Sequence, residues 1–139
     1  MILMKEFKVE DILKWQSKIQ VSPSDIPMYL SKSERKYPFV GQSSKNNAVV
    51  GFLSLDEKLL NNKESEACII ASSNTQEFSF IDTPFYLKEA GGSMSYMKNP
   101  NLNIYNSLYL ITAIKKELKY KYSYTVKATN SRIKETKIG

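Results

Sequence analysis

The run ACIIASSNTQEFSFI, Ala67–Ile81, decides the fold. ACIIA is an apolar, β-branched run of strand length, which predicts a central strand buried on both faces. SSNTQ, Ser72 to Gln76, supplies turn residues, and EFSFI then sets Phe78 and Phe80 against polar neighbours with the period of a half-buried strand. The stretch therefore predicts a hairpin. Cys68, inside the apolar run, is expected to be a buried, reduced, structural thiol rather than a nucleophile.

Upstream, YPFVG (Tyr37 to Gly41) and AVVGFL (Ala48 to Leu53) read as two strands joined by the polar loop QSSKNN, with Gly41 and Asn46-Asn47 supplying turn conformations. SLDEKLLNNKESE, ending at Glu66, reads as a polar excursion, and residues 21–36, with two prolines and five charges, as an irregular one. Near the start, VEDILKW (Val9 to Trp15) has helical spacing at Val9, Ile12 and Leu13, and Trp15 is its expected core anchor.

Downstream, FYL (Phe85 to Leu87) is a further short strand after Thr83-Pro84. From Asn103, Ile104, Leu108, Ile111, Ile114 and Leu118 recur at helical steps, with Asn101 or Asn103 as the cap. KYSYTVK (Lys121 to Lys127) alternates and is expected to be extended. The expected fold is α+β: one domain over residues 1–139, a mixed, mainly antiparallel sheet, one long amphipathic helix over about 103–118 and short flanking helices.

At 139 residues and 42% hydrophobic, the chain is long enough to bury a core without staples, and no apolar run approaches a membrane span. The expected location is the cytoplasm. All of the formal net charge of +6 lies between Lys115 and Gly139, where eight Lys/Arg face Glu117 and Glu135; the preceding residues sum to zero. A segregated basic segment, interleaved with Tyr120, Tyr122 and Tyr124, points to a polyanion-facing surface, with a solvated lysine face as the alternative.

The chain has no histidine, which removes Ser-His and Cys-His pairs, imidazole metal ligands and an imidazole general base. Gly91-Gly92 is followed by SMSYM rather than by a phosphate-cradling GK[ST] pattern. KNPNL (Lys98 to Leu102) lacks the second proline and the aromatic with which an amino-methyltransferase motif holds a flipped base. No cofactor or metal is expected.

Read in order, the blocks FKVEDILKWQSKI, YPFVGQSSKNNAVVGF and NIYNSLYLITAIKKEL followed by KYKYSYTVKATNSRIKETKI resemble the target recognition domain of restriction-modification DNA specificity subunits, of type I and of related type II systems. The likeness spans nearly the whole chain. Ala48 departs from the glycine that many members carry after the double Asn, and SSNTQEF lacks the glycines often found in the corresponding turn.

The resemblance implies half of a specificity subunit, or a fragment excised from one. Such a module reads one half of a bipartite double-stranded DNA target for methyltransferase and nuclease subunits, catalyses nothing itself and has no membrane partner. It needs cations for phosphates and forked polar side chains for base edges. Lys32, Arg35, Lys36, Lys45, Lys121, Lys127 and Arg132 are the candidates for the first role. Gln42, Asn46, Asn47, Asn74, Gln76 and Asn130 are those for the second, with Ser43, Ser44 and Tyr122 as further contacts. For Gln42 to Asn47, a plain turn and a base-reading loop stand side by side.

Two rivals remain. A Mg²⁺-dependent nuclease could use Asp25 with Glu34-Arg35-Lys36, though Glu-x-Lys recurs at Glu117 and Glu135. A protein-interaction module could use the basic tail for an acidic partner. Sequence-dependent duplex binding separates the first reading from the last, and metal-dependent cleavage separates the nuclease from both.

Overall fold

The computed structural model describes residues 7–22, 37–41, 49–73, 75–89, 94–121, 133–134 and 137–138. In chain order the elements are β1 (Phe7–Lys8), α1 (Val9–Ile12), β2 (Lys14–Trp15), β3 (Gln20–Val21), β4 (Tyr37–Val40), β5 (Val49–Leu53), a 3-10 turn (Glu57–Leu59), β6 (Cys68–Ser72), β7 (Glu77–Ile81), β8 (Tyr86–Lys88), β9 (Met94–Lys98), α2 (Ile104–Lys121) and β10 (Lys137–Ile138). Among the described residues the strands form a central sheet, order β2-β9-β6-β7, an outer sheet, order β3-β8-β4-β5, and the ribbon β1-β10. The central sheet is antiparallel throughout; the outer one is mixed, because β8 runs parallel to both β3 and β4.

The β6-β7 hairpin forms as its sequence predicts, with Cys68 opposite Ile81 and Ser72 opposite Glu77. Every residue of β6 is buried, because its two faces serve two cores. Ile69 and Ala71 join Phe78, Met97, Ile111, Ile114 and Leu118 beneath α2, with Trp15 packed at the margin. Cys68 and Ile70 join Val40, Ile81, Phe85, Leu87, Met94 and Tyr96 between the two sheets, where the Phe85 and Tyr96 rings meet edge to face at 5.2 Å. Burial pushes the Cys68 thiol up to about 12, which keeps it protonated and inert at neutral pH.

The 54–66 stretch is not a bare polar excursion. Its apolar residues cover the outer face of the outer sheet, where Leu55 and Leu60 pack with Val21, Phe39 and Tyr86. The Tyr86 hydroxyl donates to the Leu55 carbonyl at 2.9 Å and accepts from the Leu55 amide at 2.8 Å, so a buried phenol pins the segment down. Asn61, also buried, replaces a strand partner: its side chain donates to the Ile19 carbonyl and accepts from the Ile19 amide, both at 2.8 Å, while its backbone bridges Phe85. Charged neighbours hide this anchor from a composition reading. The 21–36 stretch likewise begins inside β3, and its remainder beyond Ser22 lies outside the described residues.

Helix α2 opens on a reciprocal cap. The Asn106 amide donates to the Asn103 side chain at 2.9 Å and the Asn103 amide to the Asn106 side chain at 2.8 Å, satisfying two donors that a helix start leaves unpaired. The helix ends at Lys121 rather than at 118, so Lys121 does not open an extended segment; the remainder of KYSYTVK lies outside the described residues. Lysines suit the negative end of a helix dipole, which favours the extra turn. The expected buried stripe also shifts. Ser107, Ile111, Ile114 and Leu118 face the sheet, whereas Ile104 and Leu108 are half exposed.

Candidate nucleic-acid interface

In the outer sheet β3, β4 and β8 run one way and β5 returns, so Val21, Val40, Lys88 and Val49 share one end. Gly41, the residue before the Gln42 to Asn47 candidates, lies at that end, and Tyr37, the residue after Arg35 and Lys36, lies at the other. In the central sheet, Ser72 pairs with both Glu77 and Met94, so the turn bearing Asn74 and Gln76 shares its end with the start of β9. Five residue steps join Glu89, whose amide donates to the Val21 carbonyl at 2.9 Å, to Met94. A chain of that length spans at most about 18 Å. The corners of the two sheets at Glu89 and Met94 thus lie within about 18 Å of each other; the 42–47 segment springs from β4, one strand beyond β8, and the 73–76 turn from β6, one strand beyond β9.

The second half of α2 reaches the same end. Lys115 Nζ donates to Glu77 Oε2 at 3.0 Å, fixing the first lysine of the basic segment beside the β6-β7 turn. This exposed pair contributes little to stability, and Lys116 beside it also faces solvent. Lys18 Nζ donates to the Met94 carbonyl at this end, and burial pushes its ammonium pKa down. The chain's composition gave Lys18 no distinction; only its position after β2 brings it here.

Gln76 is the one candidate base reader among the described residues, and it holds a left-handed backbone, φ 55°. Turns that need this conformation favour Gly or Asn. In SSNTQEF, which has no glycine, a glutamine takes this conformation and accepts the strain, and the residue is half buried at the hairpin's tip. Lys121 is placed by its backbone at the last residue of α2. Arg35, Lys36, Gln42, Ser43, Ser44, Lys45, Asn46, Asn47, Asn74, Tyr122, Lys127, Asn130 and Arg132 lie outside the described residues, as do Lys32, Asp25 and Glu34.

Among the described residues no cluster of His, Cys, Asp or Glu is arranged to hold a metal, and no helix is long and apolar enough to cross a membrane. The family model of the type I restriction modification DNA specificity domain matches residues 1–139. The chain belongs to this family. Comparison with curated proteins returns no match. As a specificity domain of a restriction-modification system, it recognises DNA sequence-specifically.

Proposed function

We propose that this chain acts as a single target recognition domain which reads one half of a bipartite duplex target and lends that choice to methyltransferase and nuclease subunits without catalysing a step itself. The observation that carries the reading is the convergence at one end of the molecule: the strand ends flanking residues 42–48, the turn bearing Gln76, and Lys115 held against Glu77. Lysines there meet phosphates and set register, while amides on adjoining turns reach base edges. Gln42, Asn46, Asn47, Asn74, Gln76 and Asn130 read bases; Ser43, Ser44, Lys45, Lys121, Tyr122, Lys127 and Arg132 hold the backbone around them. Arg35 and Lys36 precede the other end of β4, which suits a flanking phosphate rather than the same base step.

Fluorescence anisotropy over a salt series tests this. With roughly four to six phosphates neutralised, log K falls with log salt at a slope of about −4 to −5. A flat response, or no binding at low salt, removes the DNA reading. In the same preparations, duplex incubated with Mg²⁺ stays intact; cleavage abolished by Glu34→Ala would instead support the nuclease.

A further inference from the structure

Helix α2 carries an outward apolar face for which the fold has no use. Tyr105 is 82% exposed, Tyr109 67%, Leu108 53% and Ile104 49%, although all four belong to one continuous stripe at helical spacing. Tyr109 then leads into a groove of about 250 Å³ whose other walls are Thr112, Ala113, Lys116, Glu117 and Ile138. Single exposed apolar residues are ordinary, but four on adjoining turns form a patch of roughly 500 Å², at the upper range found on monomers.

From Asn99 to Ile114 there is no charged side chain, in a chain that is 24% charged. The stripe lies inside that run. Its position is equally informative: α2 starts beside Asn99, whose side chain donates to the Ile12 carbonyl at 2.7 Å, and climbs to Lys115 at the opposite end of the central sheet. At 1.5 Å per residue, Tyr105 lies about 15 Å along the axis from Lys115. The apolar face is thus set apart from the basic end.

We infer that this stripe is the interface between two copies of this chain, packed α2 against α2 in antiparallel fashion about a two-fold axis near Leu108. A helical stripe of this kind is self-complementary under such an axis, since each Leu108 meets its counterpart while Tyr105 lies against Tyr109 and Thr112 of the second copy. Two patches of roughly 500 Å² together reach the ~1,000 Å² that a specific interface needs. Charge selects the same arrangement. Copies carrying +6 each repel through their basic segments, and the uncharged run is where they approach without that penalty. Antiparallel packing also directs the two Lys115 ends away from each other.

The test needs no DNA, so its outcome is independent of the recognition reading. Sedimentation velocity of the full chain across a micromolar concentration series shows a reversible shift from monomer to twice the monomer mass. Leu108→Glu, which brings two like charges together at the axis, and Tyr105→Glu, which sets a carboxylate against Tyr109 and Thr112 of the second copy, each raise the dissociation constant at least about tenfold. Leu108→Cys under mild oxidation cross-links two copies, whereas Cys in place of Phe52, an equally exposed residue on the outer sheet, does not; the buried Cys68 stays silent in both. A protein that remains monomeric throughout overturns the proposal and leaves the stripe to a methyltransferase or nuclease subunit. A dimer that Leu108→Glu leaves intact, or one that the Phe52→Cys variant cross-links as fast as Leu108→Cys, overturns it as well.

Discussion

The two halves of α2 share one buried seam and present opposite surfaces. Ser107 and Ile111 in the first half and Ile114 and Leu118 in the second pack against β6, β7 and β9, so the sheet holds both in the same way. Outward, the first half shows Tyr105, Leu108 and Tyr109, and the second shows Lys115 and Lys116. The seam is dictated by burial; the outer faces are not. A lysine at the end of a helix stabilises the helix as well as a phosphate, whereas an exposed tyrosine stabilises nothing until something covers it.

The contrast breaks most visibly at the seam. Ile114→Ala removes a fully buried side chain and is expected to cost about 2–5 kcal/mol by urea unfolding, while Leu108→Ala, one turn and a half earlier, stays within about 1 kcal/mol for the monomer. Equal losses would mean that Leu108 is buried in solution. Next in size is Asn61→Ala, which strands the Ile19 amide and carbonyl just ahead of β3 and should cost about 1–3 kcal/mol.

Charge changes act on binding instead. Replacing both Lys115 and Lys116 by Ala should make the salt slope of duplex binding shallower by up to about two units, with thermal stability almost unaltered because the Lys115–Glu77 pair is exposed. Changes confined to Tyr105 should leave that slope alone. The smallest effect separates backbone from side chain at the neighbouring turn. Gln76→Gly relieves the left-handed strain and should stabilise by up to about 1 kcal/mol, yet blur base preference; Gln76→Ala blurs preference without the gain. Retained discrimination in Gln76→Gly would show that only the turn's geometry is needed.

Periodicity made the β6-β7 hairpin, the Tyr37 to Leu53 strand pair and α2 legible, because each is set by neighbours in sequence. β9 was not. Met94–Lys98 is buried between α2 on one face and the outer sheet on the other, and MSYMK has neither alternation nor β-branching to announce it. In α2, Ile104 and Leu108 match a helical period as well as Ser107 does, so spacing alone favoured the apolar pair while packing chose the small serine that lets the helix approach the sheet. Asn61 and Asn62 sit among six charged residues of the 54–66 stretch, and their role as buried braces depends on partners at Ile19 and Thr83 that no local window contains. At the proposed recognition end, the charge of Lys115 and the turn that holds Gln76 were legible in the sequence; the place of Lys18 was not, since its position beside Met94 follows from the pairing of β2 with β9.

Base reading by the turns at the sheet ends is tested most directly by selection from a randomised duplex library with the chain assembled on its methyltransferase partner. Wild type is expected to fix one contiguous half-site, and Gln42→Ala, Asn46→Ala and Gln76→Ala are each expected to relax individual positions within it by about 1–3 kcal/mol, with non-specific affinity nearly unchanged. An identical recognised sequence and identical discrimination in all three variants, with circular dichroism unaltered, would contradict base reading at this end of the molecule.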